Sequence, residues 1–302
     1  MPYRSLSAFV VVLALFTPVC TAVADDYLKI GAWNIENLGG RVPNQHPAAI
    51  AEHLLVADVD ILALEEIWDT DGVPETMTSP ALDQIFQRVN EGDDADWTYV
   101  LFANRTDGPE RHTGIAWNRK RATMVGEPMK VPVAFASDAT WNRIPHAVKF
   151  SAGEGKTDLV LIPLHMKSNR VDDSMPGLPA TEQIRRQEAE ALVAQLPAIK
   201  AHFHDEDIVL LGDTNCLSET EPALVAYKEA GFTDLNSANV VTYDKGMYRS
   251  PFDRILIPSG QQEFRYSNQY VLTPTSSQDH RRKLSDHFLV LTAVRVLQDD
   301  DE

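Results

Sequence analysis

Short apolar runs, rich in β-branched and aromatic residues and each stopped by Gly, Pro or polar residues, recur along nearly the whole of this 302-residue chain. Strands are predicted over Leu28 to Trp33, Asp60 to Leu64, Tyr99 to Phe102, Gly114 to Trp117 and Ala147 to Phe150. Others are predicted over Leu159 to His165, Ile208 to Leu211, Arg254 to Ile257 and Phe288 to Val296. Several of these runs are almost wholly apolar, which suits strands covered on both faces. Helical stretches lie between them: His46 to Val56, Pro80 to Val89, Ala180 to about Leu196, and Glu221 to Ala230, the last with Thr220 as expected N-cap and Gly231 past its end. Leu192, Leu196 and Ile199 keep helical spacing, but Pro197 is expected to kink or end that helix. Loops are expected over Trp68 to Ser79, Val133 to Asn142, Asp172 to Pro179 and Asn236 to Pro251. Strands in two sheets with helices outside make an α/β sandwich, and with no repeat or long linker, residues 25–302 read as one domain.

The first residues have the layout of a secretory leader: Arg4, an apolar run from Ala8 to Phe16, then Ala22-Val23-Ala24 before Asp25. Cleavage after Ala24 leaves a protein expected to be secreted or periplasmic, without stable membrane insertion. It also leaves Cys216 as the only cysteine, expected as a small buried filler, so no disulfide forms within the mature chain. The formal charge is −17, and −18 once Arg4 is lost. A general polyanion binder is normally basic, so any phosphate recognition by this chain has to be local, through metal and a few arginines.

The polar residues that need explaining stand at strand ends, where a rigid sheet can aim side chains into a shared pocket. Asn34, at the end of Ile30 to Trp33, can donate to a phosphate oxygen or offer its carbonyl to a hard metal; an asparagine there also closes turns. Glu65 and Glu66 end the second strand, and alternation lets only one enter a given pocket; Glu66 is the choice. His165 and Lys167 follow an apolar strand on one side, and His165 suits hydrogen bonding to phosphate or protonation of a leaving oxygen. In Gly212-Asp213-Thr214-Asn215 the Asp and Asn point the same way if the chain stays extended, to bind metal or position water. Asp286-His287 opens the last strand, giving a metal ligand and a base in one dipeptide. Asp253 upstream is placed to hold the His287 ring in one tautomer.

Taken in order, these segments resemble the endonuclease/exonuclease/phosphatase superfamily from about Leu28 to Val296, most closely its pancreatic-type deoxyribonucleases. The likeness is carried by Phe252-Asp253-Arg254-Ile255, Ser285-Asp286-His287, Gly212-Asp213-Thr214-Asn215, and Trp141-Asn142-Arg143-Ile144-Pro145 followed by Val148-Lys149-Phe150. His165-Met166-Lys167-Ser168 is similar to the His-Leu-Lys-Ser form of bacterial members. The resemblance implies a four-layered α/β sandwich with its active site at one edge of two packed mixed sheets. It matches Asn34, Glu66 and Asp286 to a metal and phosphate set for Mg²⁺ or Mn²⁺, and Arg143 to a phosphate-contacting arginine. Asp213 and Asn215 match the Gly-Asp-x-Asn pair, His165 the first catalytic histidine, and Asp253 with His287 the carboxylate–imidazole couple.

The pattern departs from that family in places. Ala103 stands where a glutamate orients the first histidine, leaving Glu110 to substitute from the loop, and Trp68 replaces a minor-groove arginine. The implied reaction is in-line attack of water on a phosphoryl group, with His287 or Asp213 as base and His287 favoured. Nucleic acid is the expected substrate. The alternative is a phosphatase or phospholipase C-type hydrolase of inositol phosphates or sphingomyelin, and the rival of a different class is a catalytically idle binding module.

Overall fold

The computed structural model describes residues 27–40, 45–73, 76–105, 108–136, 140–170, 180–273 and 276–300; the leader-like segment and the expected loop at 172–179 lie outside them. In chain order the elements are β1 (Tyr27–Leu38), α1 (Pro47–Ala57), β2 (Ile61–Ile67), α2 (Pro80–Val89), β3 (Trp97–Phe102), β4 (His112–Asn118), β5 (Thr123–Lys130), β6 (His146–Ser151) and β7 (Asp158–His165). There follow α3 (Thr181–Val193), α4 (Leu196–Phe203), β8 (Ile208–Asp213), α5 (Pro222–Glu229), β9 (Phe232–Asp234), β10 (Tyr243–Lys245), β11 (Tyr248–Ser250), β12 (Asp253–Pro258), β13 (Tyr270–Val271), α6 (Ser277–Lys283) and β14 (Val290–Arg295).

One mixed sheet has the order β13-β14-β1-β2-β4-β3 and the other β5-β6-β7-β8-β12-β9. The sheets pack face to face through Ile30, Ala32, Ile61 and Ala63 on one side and Leu159, Leu161, Val209, Leu211 and Ile255 on the other. The alternate residues face outward. Trp33, Leu62 and Leu64 pack under α1 and α2, and Val160, Ile162 and Leu210 under α3, α4 and α5. Covering both faces of each sheet removes the need for polar alternation, which is why these strands read as continuous apolar runs.

The differences from the sequence reading have local causes. Pro197 starts a helix rather than kinking one: α3 ends at Val193, and the proline takes the first turn of α4, where it has no hydrogen bond to lose. Glu221, not Thr220, precedes α5, and its carboxylate is taken by the buried guanidinium of Arg185 (2.9 and 3.0 Å). The expected loop after Asn236 contains the β10–β11 hairpin. Cys216 is a free, buried thiol, as expected.

Candidate active site

β1 and β2 run parallel, as do β7 and β8, and the side chains leaving their C-terminal ends meet in one cleft of about 420 Å³. Lateral register does part of the assembly: His165 pairs with Asp213 across β7–β8, and Asp213 with Asp253 across β8–β12. Glu36, Glu66, His165, Asp213, Asp286 and His287 line the cleft together, with Arg111, Arg170 and Lys245 as its cations. Several residues here have positive φ, among them Glu36 (27°), Glu66 (60°) and Asn215 (54°), a concentration of strained backbone that accompanies functional sites.

The left-handed bulge at Glu66 resolves the choice between adjacent glutamates. Glu66 turns into the cleft, with Oε1 3.8 Å from His165 Nε2. Glu65 is fully buried, and among the described residues neither of its carboxylate oxygens has a hydrogen-bond partner. Burial, then Asp253 and Asp213, push its carboxyl well above the usual range, which favours the neutral acid. Gly212 makes this possible, because a Cβ at its φ of 135° would collide with the Glu65 carboxylate and the Leu164 carbonyl.

His287 is held from every side. Its Nδ1 lies 2.9 and 3.0 Å from the two oxygens of Asp253, and its carbonyl accepts from Trp33 Nε1 (3.1 Å) and His280 Nε2 (3.0 Å). Its N–H donates to Ser285 Oγ (3.0 Å), which donates in turn to the Asn34 carbonyl (2.6 Å). Nε2 faces the cleft, 3.9 Å from Asp213 Oδ2 and 4.0 Å from Asp286 Oδ1. Burial alone would lower this histidine's pKa, but Asp253 and Asp213 outweigh it and raise it well above the ordinary value.

Asp213 is also fixed, its Oδ2 accepting from Asn34 Nδ2 (3.1 Å) and Oδ1 from the Asn215 N–H (2.9 Å). Burial lifts its carboxyl to about 6, against the pull of His287. Asn34 is thus spent on Asp213 and, through Oδ1, on the Glu36 N–H (3.1 Å); it braces the site from behind the cleft wall. Asp253 and Arg143 likewise stand behind the wall rather than in it. Arg143 Nη2 reaches the Met166 carbonyl at 3.4 Å, and the guanidinium groups that line the cleft are those of Arg111 and Arg170.

His165 is less constrained. Among the described residues its Nδ1 has no partner, and Glu110, exposed on its loop, does not supply the orienting carboxylate expected of it. Burial, and after it the charge of Arg143, lowers its pKa and keeps the ring neutral. Glu188, which sequence reasoning misses, ties its surroundings together, accepting from the N–H groups of Trp141 and Lys167 (both 2.8 Å). Lys167, expected beside His165, lies past the strand end with Nζ on the Arg170 carbonyl (3.1 Å).

The carboxylates of Glu66, Asp213 and Asp286 in one acidic cleft are hard oxygen donors of the kind that suit a divalent ion. Ligand atoms of Asp213, Asp253 and His287 also lie within 4.8 Å of one another, but an ion there would have to break the Asp253–His287 bond.

Solved structures share the fold. The chain is similar to an endonuclease/exonuclease/phosphatase family protein from Bacteroides thetaiotaomicron (TM-score 0.62, 16% identity, 90% of this chain and 98% of that one). It is also similar to D. rerio TDP2 complexed with a single-strand DNA product (0.56, 16%, 89% and 99%) and to a B. thetaiotaomicron mannosyl-6-phosphatase (0.57, 16%, 89% and 99%). No curated protein sequence matches at a significant level. The model of the Endonuclease/Exonuclease/phosphatase family matches residues 31–287, from the middle of β1 to the histidine that Asp253 holds, so the chain belongs to that family of phosphate-ester hydrolases.

Proposed function

We propose that this chain is an exported, metal-dependent phosphodiesterase that cleaves nucleic acid, a deoxyribonuclease-like endonuclease acting on DNA or RNA. The observation that carries the reading is the convergence of Glu66, Asp213, Asp286 and two imidazoles of opposite electrostatic bias in one cleft. Export rests on the leader-like residues before Asp25.

Glu66 and Asp286 would hold a Mg²⁺ or Mn²⁺ ion, with Asn34 bracing the set, and the ion would supply Lewis-acid neutralisation of phosphoryl charge. Between the two bases the sequence leaves open, the electrostatics favour Asp213. Its carboxyl titrates near 6, so it is ionised at neutral pH and basic enough to take a proton from the attacking water. His287, whose pKa Asp253 raises, would face the phosphoryl oxygens with Arg111, offset their charge and give its Nε2 proton to the leaving oxygen as the ester P–O bond breaks. His165, kept neutral, donates one N–H to the same group. The resulting pH–rate profile is bell-shaped, with an acid limb near 6 from Asp213 and an alkaline limb above the ordinary histidine range from His287.

A second reading, a hydrolase of small phosphate esters such as inositol phosphates or sphingomyelin, is favoured by the charge of −17 and by the structural likeness to a mannosyl-6-phosphatase. A substrate panel on residues 25–302 separates the two. Nicking of supercoiled plasmid and cleavage of single-stranded oligonucleotides, stopped by EDTA, support the nuclease. Release of phosphate or phosphocholine from small substrates with intact nucleic acid overturns it.

A further inference from the structure

The cleft contains a pair of carboxylates that already share a cation from the protein itself. Lys245 Nζ lies 2.8 Å from Asp286 Oδ2 and 3.0 Å from Glu36 Oε1. Two carboxylates from different parts of the chain thus meet on one ammonium. Two acids pressed together in this way need a positive charge between them.

Lys245 is built into that position rather than reaching it by chance. It ends β10, whose hairpin partner β11 holds it in register with Tyr248. The hairpin is locked to the segment that carries Asp286: the Asp244 N–H donates to the Asp286 carbonyl (2.9 Å), the Phe288 N–H to the Thr242 carbonyl (2.7 Å), and Tyr243 bridges to His287. Glu36 is aimed from the other side by its positive φ and by the bond from its N–H to Asn34 Oδ1.

We propose that Lys245 restricts this centre to a single divalent ion by occupying, with its ammonium, the place between Glu36 and Asp286 that a second ion would take. The proposal rests on the metal-dependent reading of the cleft. A fixed monovalent charge at hydrogen-bond distance from both carboxylates uses their inner oxygens and repels any further cation. It leaves Glu66 and the other carboxylate oxygen of Asp286 for the one ion that binds.

The test is calorimetric titration of Mn²⁺ into residues 25–302, with thermal melting to confirm that each variant is folded. The wild type binds a single Mn²⁺ per chain, and Lys245→Arg, which keeps the charge, does the same. Lys245→Gln, which removes it, gains a second Mn²⁺. A second ion in the wild type, or a single ion in both wild type and Lys245→Gln, overturns the role of Lys245. Absence of Mn²⁺ binding by the wild type overturns instead the metal-dependent reading on which it rests.

Discussion

The two histidines of the cleft differ more than their shared chemistry suggests. His287 is pinned at ring and backbone by Asp253, Trp33, His280 and Ser285, and its carboxylate neighbours favour the cation. His165 stands at the end of β7 with its inner nitrogen unpartnered and an arginine behind it, and its surroundings favour the neutral ring. Surroundings, more than residue type, therefore set the bias of each ring, one toward the cation and the other toward the neutral form.

Turnover should respond most strongly to this asymmetry. His287→Ala should lower kcat roughly 10³-fold and His165→Ala roughly 10²-fold, because only the first removes a charge matched to the transition state. Equal losses in steady-state kinetics would mean that the two rings act alike. Asp253→Asn should move the alkaline limb of the pH–rate profile down by about one pH unit or more, since it removes the nearest charge that raises the His287 pKa. The sign follows from the chemistry: the active form is the imidazolium, and a lower pKa means that it is lost at lower pH. An unmoved limb would show that His287 does not set it.

His280→Phe should cost about 1 kcal/mol in urea denaturation by removing one donor to the His287 carbonyl, with a modest fall in kcat. Glu110→Gln should leave kcat unchanged, because Glu110 does not orient His165; a clear loss would restore the role that the sequence assigns to it.

Much of the fold and of the cleft is legible in the sequence alone. Strands buried on both faces announce themselves as apolar runs, and the polar residues that stop them, Glu66, His165, Asp213 and His287, are the ones that meet in the cleft. What escapes has physical causes. β5, β9 and the β10–β11 hairpin are edge or short strands with exposed residues and no apolar run to mark them. Arg111 and Glu36 reach the cleft from left-handed backbone positions, which no periodicity predicts. Family likeness points Asn34 and Arg143 toward the phosphate; the hydrogen bonds of Asn34 to Asp213 and of Arg143 to the Met166 carbonyl are long-range contacts that spacing does not reveal. Alternation separates Glu65 from Glu66, but the burial of Glu65 depends on the second sheet and on Gly212, which sequence spacing does not bring together.

Whether the acidic cleft works through a divalent ion is decided by hydrolysis of bis(p-nitrophenyl) phosphate by residues 25–302 in Mn²⁺, with and without EDTA, in the wild type and in Glu66→Gln. The expected result is turnover that EDTA abolishes and added Mn²⁺ restores, and a variant that needs far more Mn²⁺ to reach any rate. Turnover that persists in EDTA, or a Glu66→Gln enzyme with wild-type Mn²⁺ dependence, would contradict a metal held by Glu66.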